Sequence, residues 1–355
     1  MMKKATASVA SLVALQLVIH LGASGGQVIA ADAISSGGAD SSALALYTCA
    51  GSALCLLLGA WARERALLAH GVQRALTDRD TALALGGLGL NFTLKSLASM
   101  HALGMTSALN AAVYIPLIPV CAAIESRLLG WERLSRRQYA GIALSIAGAL
   151  IVTVGEYDGA QSSASAGRAL LGNALLLVWM VTAANAIVLQ RPLLRRPWFS
   201  SLTLSALVLG IAALLLALVT VPWITAAGGA GALALRSSLA RGAACYCVAY
   251  YVLVNWGDAY MVSLSLPPST VALGLTLEPL FTALLEWACF HDVMTLGQVA
   301  GAACTCLGLV VVVADLRAPG ADDDEGGGLA NSKADAAGDL RTTDETEPLS
   351  RGETF

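Results

Sequence analysis

Charge is scarce in this chain. Asp, Glu, Lys and Arg make up 13% of its 355 residues and hydrophobic side chains 57%, with a mean hydropathy of +0.70, whereas a soluble domain carries roughly 25% charge. No water-soluble fold of this length could bury so much apolar side chain, and several uncharged runs exceed the ~18 residues that mark a membrane span. Those runs also lack the strict apolar–polar alternation of a lipid-facing barrel strand, so the spans are helices. The eight cysteines fall in or beside the apolar runs, where Cys packs as a small apolar residue, and the pairs Cys245/Cys247 and Cys304/Cys306 lack the second half of a zinc site. No metal cluster, P-loop, or nucleophile with a base stands out, so the expected protein is no enzyme, needs no cofactor and binds no nucleic acid.

Apolar stretches between charged or turn-rich interruptions place helices near 8–31, 43–62, 80–100, 105–128, 135–155, 168–190, 199–222, 238–257, 268–290 and 294–315. The opening MMKKATASVASLVALQLVIHL also has the layout of a secretory signal peptide, but an internal repeat requires it as the first helix. With the N-terminus inside, the inner connections hold most of the Lys and Arg, among them Lys3, Lys4, Arg63, Arg65, Arg74, Arg79 and Arg133. The outer ones hold only Arg168, Arg236 and Arg241. The positive-inside rule then puts both termini in the cytoplasm, with the plasma membrane favoured over an endomembrane. From 318 to 355 the chain has ten acidic and three basic residues and almost no large apolar side chains, the composition of a disordered acidic tail.

A shift of 160 positions brings the two halves into register without a gap. Pro119 meets Pro279, Gln138 meets Gln298, Gly141 meets Gly301, Gly148 meets Gly308, and Glu132 and Ser135 meet Asp292 and Thr295. Each copy holds five spans, an odd number, so the second enters the membrane from the opposite side. The expected fold is an all-α membrane protein of ten transmembrane helices, arranged as two inverted five-helix repeats over 1–155 and 156–317. Such repeats characterise secondary transporters, with the substrate at the repeat interface and access alternating between the two sides.

The segment SALNAAVYIPLIPVCAAIESRLLGWERLSRRQYAGIALSIAGALIV and its echo STVALGLTLEPLFTALLEWACFHDVMTLGQVAGAACTCLGLVVVV resemble the paired EamA-type domains of the drug/metabolite transporter superfamily. The similarity spans roughly 8–315 and is most specific in the proline-bearing fourth helix, the acidic loop residue (Glu132, Asp292) and the Q-x-x-G that opens the fifth. It implies a carrier of small organic metabolites. At His291-Asp292 the sequence departs from the Gly-Glu that the family more often shows, a change expected to affect only the loop.

Features common to both copies read as scaffold: Gly141, Gly148, Gly301 and Gly308 for close helix contact, and Pro119 and Pro279 as kinks. Each proline should free the carbonyl four residues earlier, Ile115 or Leu275, which lipid tolerates only beside protein or a water-filled cavity. Features of one copy are the functional candidates. Lys95 aligns with Asn255, Glu278 with Ile118, and His20 with Met180. A lysine at a helix centre costs about 2.5–3.5 kcal/mol unless it finds a partner or reaches the interface, and Glu278 is its natural partner, or else a proton carrier or a cation site. Asn91, Asn110, Tyr114, Trp179, Asn185 and Asn255 are the remaining polar and aromatic candidates for a mostly apolar pocket. The expected partners are a small-molecule metabolite, the lipid bilayer, and protons or a counter-substrate. The rival reading is a nucleotide-sugar or sugar-phosphate antiporter, which would want several cations in the cavity.

Overall fold

The computed structural model describes residues 9–131, 135–158, 163–228, 233–264, 278–291 and 295–316. The chain divides into residues 1–313 and 314–355. Of the second unit only 314–316 are described, so the expected acidic tail lies outside the described residues. The same holds for 268–277, the first part of the expected ninth helix, including Leu275.

Every regular element among the described residues is a helix. In chain order they are α1 (Val9–Ser35), α2 (Ser41–Thr77), α3 (Arg79–Leu103), α4 (Ala108–Tyr114), α5 (Leu117–Leu128), α6 (Arg136–Asp158), α7 (Ser163–Leu194), α8 (Ser201–Gly228), α9 (Ser238–Ser263), α10 (Glu278–Phe290) and α11 (Leu296–Leu316). Among the described residues, five segments are long and apolar enough to cross a membrane: Ala14–Ser35, Ser41–Thr77, Ala108–Leu128, Gly167–Leu194 and Ser201–Ala226. The burial pattern is that of a protein dissolved in lipid. Leu54, Leu58, Leu214 and Leu218 lie on the outside, while Ser24, Ser52, Thr81 and Asn110 are inside. Several buried hydroxyls are satisfied by backbone carbonyls: Thr93 donates to Gly89 O at 3.0 Å and Ser52 to Thr48 O at 2.7 Å, as a hydrocarbon surrounding demands.

The helix starts explain part of the repeat. At α6, Ser135 Oγ accepts from Gln138 N at 3.2 Å while Gln138 Oε1 accepts from Ser135 N at 2.8 Å. At α11, Thr295 Oγ1 and Gln298 repeat this reciprocal capping box at 3.3 and 2.9 Å. Ser/Thr-x-x-Gln recurs because each copy must satisfy the same orphan amides of a helix end.

Three sequence expectations are corrected. Residues 63–77, read as an inner loop, continue α2 as helix, apart from a non-helical Glu64 at φ −136°, ψ 35°. Arg, Glu, Ala, Leu and Gln there favour helix while being too charged for lipid, so hydropathy marks the end of the span and not of the helix. The fourth span breaks at Ile115–Pro116, not at Pro119. Pro116 separates α4 from α5, and Pro119 sits in the first turn of α5, where its missing amide would have no intrahelical partner anyway. The Ile115 carbonyl is not freed, because Ile118 N donates to it at 2.9 Å. At the end of α5, Gly130 takes φ +73° and Trp131 N reaches back to Ser126 O at 2.9 Å, a Schellman stop. The aligned turn in the second half holds His291 at φ +58°, so the departure from glycine noted in the sequence places a side chain in a left-handed conformation that costs roughly 1–2 kcal/mol.

Helix contacts come in exchange-related pairs under the 160-residue shift. α1 packs on α9 and α3 on α7; α2 packs on α9 and α3 on α8; α1 packs on α10 and α5 on α7; α2 and α8, equivalent to each other, face one another. The α6–α11 contact repeats the rule at atomic detail. A Cβ on Gly148 would lie 2.6 Å from Gly301 O and 2.7 Å from Thr305 N, and one on Gly308 would meet Gly141 O and lie 2.6 Å from Ser145 N. Ser145 Oγ also donates to Thr305 O at 3.1 Å. Since backbone atoms would be struck as well as the Thr305 hydroxyl, Gly148→Ala should lower the thermal unfolding midpoint of the detergent-purified protein, with an overpacking cost of about 1–3 kcal/mol. Gly86→Ala, whose Cβ would meet nothing within 4 Å, should leave that midpoint in place.

Candidate functional site

A cavity of about 70 Å³ lies where α1, α3, the α4–α5 break, α7, α9 and α10 converge. Ala23 and Gln27 of α1, Phe92, Lys95 and Ser99 of α3, and Ile115 and Ile118 at the break line one side. Trp179, Ala183, Ile187 and Gln190 of α7, Tyr250, Tyr251, Val254, Asn255 and Asp258 of α9, and Glu278 of α10 line the other. Both halves therefore contribute, and each contributes charge. Among the described residues no group of His, Cys, Asp and Glu is placed to hold a metal ion.

Glu278 is 3% exposed, yet its carboxylate is fully engaged. His20 Nδ1 stands 2.7 Å from Oε1, Gln27 Nε2 donates to Oε2 at 3.0 Å, and Ser24 Oγ donates to the Glu278 carbonyl at 3.3 Å. Ser24 also bonds His20 O at 3.0 Å, which fixes the α1 turn that presents these groups. Two donors on two carboxylate oxygens suit the ionised form of Glu278. With Nδ1 donating, the His20 Nε2, which has no hydrogen-bond partner, is a lone pair when the ring is neutral. The two groups thus share one buried hydrogen bond that ties α1 to α10.

The expected Lys95–Glu278 pairing is corrected: Glu278 is taken by His20 and Gln27, not by Lys95. Lys95 stands eight residues before the end of α3, ~12 Å along its axis, because α3 runs past the predicted end at 100. Its Nζ lies over the rings of Phe92 at 5.0 Å and Tyr251 at 5.5 Å, a cation–π seat in place of a counter-charge. Asp258 stands on the cavity wall contributed by α9. Neither Lys95 nor Asp258 forms an ion pair within 4.0 Å among the described residues.

The other candidates separate into two groups. Trp179 and Asn255 line the cavity; the Asn255 amide also donates to Tyr251 O at 2.6 Å, and Ser205 donates to Asn255 O at 3.1 Å, so this side chain also braces α9. Asn91 bonds Thr182 O at 2.8 Å and Asn110 bonds Asn173 Oδ1 at 2.8 Å, tying α3 and α4 to α7 away from the cavity. Tyr114 is fully buried in the core, and neither it nor Asn185 is among the cavity-lining residues. Pro119 and Pro279 are buried in the first turns of α5 and α10. Sequence reasoning missed Asp258, Gln27 and Gln190. Asp258 aligns with Ala98 and Gln27 with Ile187, so the test that singled out Lys95, polarity in one copy only, would have found both.

Removing the imidazole should leave the Glu278 carboxylate buried with one donor fewer, at a cost of about 1–3 kcal/mol. His20→Leu is therefore expected to lower the thermal midpoint clearly in the wild-type background and much less in a Glu278→Leu background, as read from a double-mutant cycle. Equal losses in the two backgrounds would show the pair to be energetically uncoupled.

Residues 5–154 match the EamA-like transporter family. None of the curated proteins compared matches the chain. Among solved structures 24 chains match; one of them, described only as "Crystal structure of protein", is 17% identical, with a TM-score of 0.58 over 87% of this chain and 99% of its own. At that identity the likeness speaks for the fold alone. The family match starts inside the opening segment and runs through α6, the stretch that holds Lys95, His20 and the broken fourth span. Residues 5–154 are thus similar to an EamA-like transporter unit, and that similarity, together with the segments long and apolar enough to cross a membrane, supports reading the chain as a multi-pass membrane transporter.

Proposed function

We propose that this chain is a ten-span secondary transporter made of two inverted five-helix repeats, and that it moves a small organic metabolite by alternating access around the central cavity. The exchange-related helix contacts support the inverted repeat. So does length: α3, α6 and α9, with 25, 23 and 26 residues, exceed the ~20 needed to cross the hydrocarbon, and their lower hydropathy reflects polar residues such as Lys95, Asn255 and Asp258.

The observation that carries the functional reading is the charge on the cavity wall. Lys95, Asp258 and Glu278 sit in the buried centre, and their repeat counterparts are Asn255, Ala98 and Ile118, so the scaffold does not require them. A buried charge that the fold does not need marks a working site. At about 70 Å³ the cavity has room for about two waters, less than the ~300–1,000 Å³ of small-molecule sites, so a metabolite enters only after the halves part. Energy comes from a proton gradient or from exchange. The hydrogen-bonded His20–Glu278 pair supports the first, since a proton can be held there with only local rearrangement.

Lys95 is the one basic residue among the described cavity-lining residues. That disfavours a sugar-phosphate or nucleotide-sugar antiporter, which would need several cations against phosphate.

Uptake by reconstituted vesicles against a panel of amino acids, nucleobases and sugar phosphates, with and without an imposed pH gradient, tests this reading. Movement of a neutral or zwitterionic metabolite is expected, stimulated by the gradient, with Lys95→Met and Glu278→Gln each reducing the rate about ten-fold or more while inserting normally. Exchange of sugar phosphates alone would reverse the choice of substrate. With the basic connections inside, both termini should be labelled only from the cytoplasmic face of sealed plasma membranes; labelling from opposite faces would break the ten-span topology.

A further inference from the structure

Glu278 is saturated by its neighbours and has little left to offer a substrate. Lys95 and Asp258 differ from it. Both line the same cavity, both are only partly buried, and neither makes an ion pair within 4.0 Å among the described residues. A cation and an anion that line one small chamber without a direct ion pair leave room for something with both signs.

The repeat shows how this arose. Lys95 and Ala98 lie three residues apart on one face of α3, and the same two positions in the second copy are Asn255 and Asp258 of α9. One copy of the helix face thus carries only the positive charge and the other only the negative. The two copies meet across the cavity, with aromatic faces between: Phe92 and Tyr251 under the ammonium, and Trp179 on the α7 wall.

Resting on the transport reading above, we infer that the substrate is a small zwitterion, its acid group held by Lys95 and its ammonium by Asp258, with an apolar body against the aromatic rings. A charge-assisted hydrogen bond at each end would compensate both buried charges at once. A purely anionic solute would leave Asp258 uncompensated, and a purely cationic one would leave Lys95 so. Asp258 is then a specificity-determining residue, while His20 and Glu278 serve a separate, coupling role.

Three mixtures offered to reconstituted vesicles test this: the common amino acids, their decarboxylated amines, and their deaminated acids, with uptake resolved by mass. Wild-type protein should favour individual amino acids by about ten-fold or more over the matching amine and acid. Asp258→Asn should lose amino-acid uptake while the matching acid is retained, and Lys95→Met should lose it while the matching amine is retained. These opposite selectivity changes separate recognition from mere structural support, which would lower all three mixtures together. If one variant fails to reach the vesicle, the wild-type preference and the other variant still decide. Wild-type uptake of acids or amines alone, an equal fall in all mixtures, or unchanged amino-acid uptake in Asp258→Asn would overturn the inference. Uptake of a nucleobase without any amino acid would overturn it and leave transport standing, whereas no movement of any solute would overturn both.

Discussion

A bilayer offers no hydrogen-bond partner, and this one constraint organises the molecule. Each polar group that enters the hydrocarbon must be satisfied by the protein itself. Hydroxyls such as Thr93 and Ser52 therefore bond carbonyls, the fifth span of each copy opens with a reciprocal Ser/Thr–Gln cap, and the amides lost at Pro116 fall in a break whose carbonyls are taken up by local turns. Even Glu278, the most costly group to bury, has a donor on each carboxylate oxygen. Against that background the groups not fully met from within stand out. Among the described residues Lys95 rests on the Phe92 and Tyr251 rings and Asp258 has no counter-ion within 4.0 Å, and both line the cavity.

The two-copy construction explains how such a site can exist without wrecking the fold. Helix contacts recur in equivalent pairs, and at α6–α11 the same glycines and hydroxyls interlock from both sides. This shared scaffold holds the packing energy. Substitutions on the cavity face of one copy then change chemistry without a matching change in the other, so a symmetric frame carries an asymmetric site.

The helical class and part of the cavity wall, Lys95, Trp179, Asn255 and Glu278, could be read from residues alone, because hydropathy and polarity confined to one half are strong signals. The misreadings have definite physical origins. The stretch 63–77 was assigned to a loop since its charges end the span, although its side chains favour helix. Pro119 was taken as the break because both copies share it, whereas Pro116, present in one, interrupts the helix. Asp258 was overlooked because the predicted span stopped at 257, though α9 runs to Ser263. The bond from His20 to Glu278 joins residues 258 positions apart, and no pattern along the chain encodes which buried acid meets which base. Ala98 opposite Asp258 was the available clue, since an acid facing a methyl in the aligned copy calls for an explanation.

The contacts between the halves differ in how readily they part. At α6–α11 the backbones themselves touch through glycine, and separating them would expose carbonyls and the Ser145–Thr305 bond to lipid, a loss that nothing in the hydrocarbon can offset. At the Arg-rich end the ties are of another kind. Glu64, at the one non-helical point of α2, accepts from Ser200 and Thr203 at the start of α8, and Arg196 reaches Asp78 at 3.6 Å with both side chains partly exposed. Water can replace each of these partners, and an exposed ion pair contributes only about 0–1 kcal/mol. The glycine contact is therefore the costlier of the two to separate.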